Sequence, residues 1–136
     1  MNRKEIITML LKLFEQFQND IYFHPSLLKE ILALLNKSGY ESDFFRILVV
    51  RLQALADLGI DVYTQKEFEN IGGGLFSMHL TGKGFNLRIL FAFQPDKTPA
   101  LLTCFNERQG KRVSSYDPYI RIANQRLKEV LNDEKQ

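Results

Sequence analysis

Leu75-Phe76-Ser77-Met78-His79-Leu80-Thr81-Gly82-Lys83-Gly84-Phe85-Asn86-Leu87-Arg88-Ile89-Leu90-Phe91-Ala92-Phe93 is the stretch on which the fold turns. Its apolar residues alternate with a period of two, the signature of β-strands. Phe76, Met78 and Leu80 share one face, and Leu75, Ser77 and His79 share the other. After Thr81-Gly82-Lys83-Gly84, which reads as a hairpin turn, Phe85, Leu87, Ile89, Phe91 and Phe93 form a core face. Asn86, Arg88, Leu90 and Ala92 fall opposite them.

Downstream, a turn at Pro95-Asp96-Lys97 leads into a third strand over residues 99–105, which completes an antiparallel meander. Asp117-Pro118 has the form of an N-cap followed by proline, so a helix is expected from there to about residue 131. Tyr119, Ile120, Ala123, Leu127, Val130 and Leu131 lie on one of its sides, and Arg121, Asn124 and Lys128 on the other.

Upstream, residues 4–17 carry a broad helical apolar face that leaves out Thr8, Lys12 and Glu15. Packing on the body of the domain is the simpler use of such a face, and partner binding the other. A short β-prone run, Ile21-Tyr22-Phe23, stops at His24-Pro25. Ser26 and Ser42 are candidate caps for helices over 27–36 and 43–58, which end near Gly39 and Gly59 and form a helical hairpin. Gly72-Gly73-Gly74 lacks the lysine and helix of a phosphate loop and reads as a flexible entry to the first strand. The expected class is therefore α+β: helix, short strand, two helices, three strands, helix. All of this fits one domain over residues 1–136, with 1–18 as an additional N-terminal helix and 74–131 as the central meander and final helix.

A content of 45% hydrophobic and 25% charged residues is that of an ordinary globular chain. The single cysteine, Cys104, has apolar neighbours and reads as a buried hydrophobe in a reducing compartment. The absence of a long apolar run or a secretory signal argues for a cytoplasmic protein without membrane contact. Charge is unevenly placed: residues 1–81 sum to −2 and residues 82–136 to +4. A basic second half attracts phosphate backbones or an acidic partner, although scattered surface cations give the same count.

Sequence signatures for metal sites, phosphate loops or nucleophile triads are absent, so no metal and no cofactor is expected. A turn centred on Gly82-Lys83 pairs Ser77 with Arg88 and His79 with Asn86, gathering a hydroxyl, an imidazole, an amide and a guanidinium on one polar face. Residues 106–112 bring Arg108, Lys111 and Arg112 to its rim, with Tyr116 just beyond. Such a patch suits an RNA phosphate. It is equally the solvated face of a half-exposed sheet, with Arg88 paired to Glu107 or another carboxylate.

The order of Gly74-Leu75-Phe76, Asn86-Leu87-Arg88-Ile89-Leu90-Phe91-Ala92-Phe93, Leu101-Leu102-Thr103-Cys104-Phe105, a basic segment and a helix ending Arg126-Leu127-Lys128-Glu129 resembles the RelE/ParE toxin superfamily, in its HigB-like, phage-derived branch. The resemblance implies a RelE-like fold and a metal-independent, ribosome-dependent endoribonuclease that cleaves messenger RNA. It also implies silencing by an antitoxin, a small helix-turn-helix protein encoded nearby. By this likeness Arg88 corresponds to the family's phosphate-clamping arginine and Arg108 to a basic residue after the last strand. Tyr116, or else Tyr119, corresponds to the tyrosine near the final helix. His79 stands where relatives carry an arginine, either as a base or as a passive polar group. Lys83, Asn86, Lys111, Arg112, Arg121 and Lys128 are the further candidates for RNA contact. Ser77 and Glu107 depart from the family pattern, Glu107 by placing an anion where a lysine is usual. Two alternatives keep the fold: a ParE-like poison of DNA gyrase, and a non-catalytic protein-binding module.

Overall fold

The computed structural model describes residues 1–107 and 112–134, with four α-helices and a five-stranded mixed sheet. Helix α1 (Arg3–Phe17) is followed by strand β1 (Tyr22–Phe23), helices α2 (Leu27–Leu35) and α3 (Glu41–Leu58), and a 3-10 turn, Gly59–Thr64. Strands β2 (Phe68–Gly72), β3 (Leu75–Gly82), β4 (Phe85–Phe93) and β5 (Pro99–Asn106) come next, and α4 (Arg112–Glu134) closes the chain. The spatial order is β1-β5-β4-β3-β2, antiparallel except that β1 runs parallel to β5.

The α+β class and the three central strands agree with the sequence reading. Strand β2 was not foreseen. Its five residues include Glu69 and Asn70 and alternate weakly, so little apolar pattern announces it. Consequently the glycine triplet is no loose entry: Gly72 ends β2, paired with Leu75, and Gly73-Gly74 form the turn into β3. Gly72, Gly73 and Gly74 all take positive φ, at 91°, 63° and 83°, a conformation that costs a side chain about 1–2 kcal/mol per residue.

The sheet is covered on both faces. Helices α2 and α3 pack on one side, whose core includes Met78, Leu80, Leu87, Ile89 and Phe91, and α1 packs against α2 and α3. Helix α4 packs on the other, where Leu75, Leu90, Ala92, Leu102 and Phe105 meet Tyr116, Ala123 and Val130. The expected half-exposed polar face is therefore a second core, because α4 brings its own apolar side onto it. The two sets of alternating residues in β3 and β4 do lie on opposite faces, as their period requires.

The additional helix α1 buries Ile6, Leu10, Leu13 and Phe17 against the body, while Met9 and Leu11 stay exposed. Ser26 and Ser42 do not act as side-chain caps. Ser26 makes no capping hydrogen bond, and α3 starts at Glu41, where the Ser38 hydroxyl donates to Glu41 Oε1 at 2.8 Å.

Where β1 and β2 stop short, side chains satisfy the open sheet edges. On β5, Arg126 of α4 donates to the Leu102 carbonyl at 2.8 Å and Glu30 of α2 accepts from the Cys104 amide at 3.3 Å. The two side chains also form an ion pair at 2.8 Å. On β3, Arg51 Nε donates to the His79 carbonyl at 2.9 Å. An unpaired edge otherwise templates aggregation. Cys104, 4% exposed, is buried as expected, and its thiol pKa is pushed up by burial and by Glu30.

Candidate functional site

The hairpin of β3 and β4 sets the site's register. Gly82 pairs with Phe85, so the turn residues are Lys83 and Gly84, the latter with φ of 87°. A side chain on Gly82 would run into the Phe85 ring, which would have to shift to admit it. The turn thus lies one residue later than a centre at Gly82-Lys83, and the pairing moves by two. His79 faces Arg88, Thr81 faces Asn86, and Ser77 faces Leu90. The predicted pairs Ser77 with Arg88 and His79 with Asn86 are corrected accordingly, although all four stay on the predicted face because a shift of two preserves the side.

On that face a polar cluster sits inside the α4 core. Arg88, 8% exposed, donates from Nε to the Tyr116 hydroxyl at 3.1 Å. Its Nη1 donates to Thr81 Oγ1 at 3.2 Å and to the Leu87 carbonyl at 3.1 Å, and its Nη2 forms an ion pair with Glu107. Tyr116, 4% exposed, also shares a hydrogen bond of 3.2 Å with the Ser77 hydroxyl and sets its ring edge-on to Phe105. Tyr119 is instead stacked flat on Phe105 at 4.1 Å, so Tyr116 is the tyrosine that reaches the arginine. Asn86 joins at the rim, its Oδ1 accepting from the Thr81 hydroxyl at 3.1 Å, while its carbonyl accepts from the Glu107 amide.

The early start of α4 makes this contact. The helix begins at Arg112 and contains Pro118, whereas Asp117-Pro118 suggested a start there. Proline removes one ladder bond and strains the preceding turn. Tyr116, anchored to Ser77, Arg88 and Phe105, holds that turn against the sheet.

His79 lies across the strand pair from Arg88, with Nε2 3.3 Å from Glu69 Oε2 but without the alignment of a hydrogen bond. Burial, followed by the charges of Arg88 and Arg51, lowers its pKa from 6.5 to about 4, against an opposing pull from Glu67. The imidazole is thus neutral near pH 7.

Of the catalytic candidates, Arg88, Tyr116 and His79 come together. Arg108 lies outside the described residues, as does Lys111, and the same holds for the side chain of Arg112. Arg121 and Lys128 are exposed on the side of α4 away from the sheet core, and Lys83 is exposed at the hairpin tip. None of these three belongs to the cluster. Thr81, read in the sequence as part of the turn, joins the cluster by accepting from Arg88 and donating to Asn86; its place on the alternating face with Ser77 and His79 is the sequence signal for it. Glu107, the anion that departs from the family pattern, is the carboxylate that pairs with Arg88. Among the described residues no group of histidine, cysteine or carboxylate side chains could hold a metal ion, and no helix is long and apolar enough to cross a membrane.

No family model, no curated protein and no solved structure matches the chain.

Proposed function

We propose that this chain is a toxin of the RelE/ParE superfamily, HigB-like branch, acting as a metal-independent endoribonuclease on messenger RNA in the ribosome and silenced by a cognate antitoxin. One observation carries the reading: Arg88, His79 and Tyr116, from three elements, converge on one polar cluster, and in the sequence the basic residues Arg108, Lys111 and Arg112 lie between Glu107 and Tyr116 of that cluster.

Self-cleavage of RNA needs little from a protein. The ribose 2′-hydroxyl attacks the adjacent phosphorus while a base takes its proton. The bond to the 5′-oxygen breaks, and that oxygen leaves with a proton, giving a 2′,3′-cyclic phosphate and a 5′-hydroxyl. Charge building on the phosphoryl oxygens is met by arginine, whose planar fork stays charged. In this arrangement Arg88 is the clamp, held in orientation by Tyr116 and Thr81. The neutral imidazole of His79 has a lone pair for the 2′-proton, and an arriving phosphate offsets the cations that depress its pKa. Glu107 occupies Arg88 as an internal anion, so RNA phosphate must displace a carboxylate of like charge.

That same ion pair, with Arg88 only 8% exposed, favours a second reading: a non-catalytic module of the same fold that binds another protein. Inducing the gene and mapping transcript 5′-ends separates them. The toxin reading expects growth arrest, new 5′-ends in translated regions, loss of both with Arg88→Lys, and rescue by the neighbouring gene's product. Arrest with intact transcripts contradicts it; arrest with DNA breaks and an SOS response indicates a gyrase poison.

A further inference from the structure

A cleft of about 920 Å³ opens where α1 ends, beside β1 and the turn joining β4 to β5. It shares no residue with the Arg88 cluster. Its apolar wall is built on Phe14 and Phe23, whose rings stack at 4.1 Å and 13°, with Leu11 beside them, 54% exposed. The charged side chains that line it are Glu15 and Asp96, both carboxylates, and no lysine or arginine is among them.

The cleft also touches a polar group in want of a partner. Gln94 is 5% exposed; its Nε2 donates to the Thr98 carbonyl at 3.2 Å, but its Oε1 is enclosed and accepts no hydrogen bond. Buried carbonyl oxygens are nearly always paired, and an orphan marks a place where a donor is missing. Gln94 is among the residues that line the cleft.

We propose that this cleft is a binding site for a small organic amine carrying an apolar or aromatic body. The body lies on Phe14 and Phe23, the ammonium takes the field of Glu15 and Asp96, and an N–H donates to Gln94 Oε1. The volume falls in the range of small-molecule sites, roughly 300–1,000 Å³, and an apolar wall with a few polar groups is their usual lining. Aromatic faces add attraction for a cation.

Titration of the ¹⁵N-labelled full chain with phenethylamine, followed by NMR, tests this. The matched probes are 2-phenylethanol, uncharged, and phenylacetate, of opposite charge. Saturable shifts at Tyr22, Phe23 and the Gln94 side-chain amide are expected, with phenylacetate at least about tenfold weaker than phenethylamine. Glu15→Gln, on an exposed helical position, is expected to weaken phenethylamine several-fold and leave 2-phenylethanol unchanged. Equal affinity for all three probes overturns the proposal, as does linear, unsaturable shifting with phenethylamine.

Discussion

Arg88 and Glu107 form an ion pair taken almost wholly out of water, with side chains 10% and 12% exposed. Removing one partner strands the other charge. Glu107→Ala is expected to lower unfolding stability by about 3–5 kcal/mol in urea melts. Arg88→Leu combined with Glu107→Leu is expected to recover most of that, because apolar replacement of both partners is often neutral. His79 gives a pH test. Its pKa is 6.5 when unfolded and about 4 when folded, so both states are neutral above pH 6.5. Between those values the unfolded chain takes up a proton that the folded chain refuses, and stability falls as pH drops through this window. His79→Gln is expected to flatten that part of the stability profile; an unchanged slope contradicts the burial account. The identity of these residues was legible from alternation, which put Ser77, His79, Asn86 and Arg88 on one side. Their pairing was not, because a two-residue shift leaves the side unchanged and only the Gly82-to-Phe85 contact fixes the turn.

Elements with strong periodicity were legible: α1, α2, α3 and the three long strands. Strand β2 was not, since Glu69 and Asn70 dilute its pattern and its placement comes from pairing with β3. The start of α4 was obscured for a related reason. Asp117-Pro118 is a strong local start, but Tyr116 is held by Ser77, Arg88 and Phe105, contacts from distant sequence that override it. Edge capping belongs to this scale as well. Arg126 satisfies the Leu102 carbonyl and Glu30 together, so Arg126→Met is expected to cost about 2 kcal/mol, measured by thermal or urea unfolding, and to raise the tendency to aggregate at the freed β5 edge.

For the whole molecule, burial on both sides of the sheet places the Arg88 cluster within a core. On the reading proposed above, RNA reaches it from the rim near Asn86 and Glu107. The candidate cations Lys83, Arg121 and Lys128 are exposed to solvent, which suits long-range attraction rather than chemistry. Arg121→Glu with Lys128→Glu is expected to leave unfolding stability within about 0.5 kcal/mol while weakening ribosome or RNA association, with a shallower dependence on salt. Net charge distribution was readable from sequence, but which cations face the site and which face solvent depends on the seating of α4.

The central claim is that Arg88 serves RNA cleavage. It is tested most directly by adding the purified chain to a translation reaction and mapping message 5′-ends by primer extension. The account predicts 5′-hydroxyl ends inside the translated region that vanish with Arg88→Lys in a variant shown to be folded, and that increase with Glu107→Gln, which frees the guanidinium. An intact message with the folded wild-type chain, or cleavage undiminished by Arg88→Lys, contradicts it.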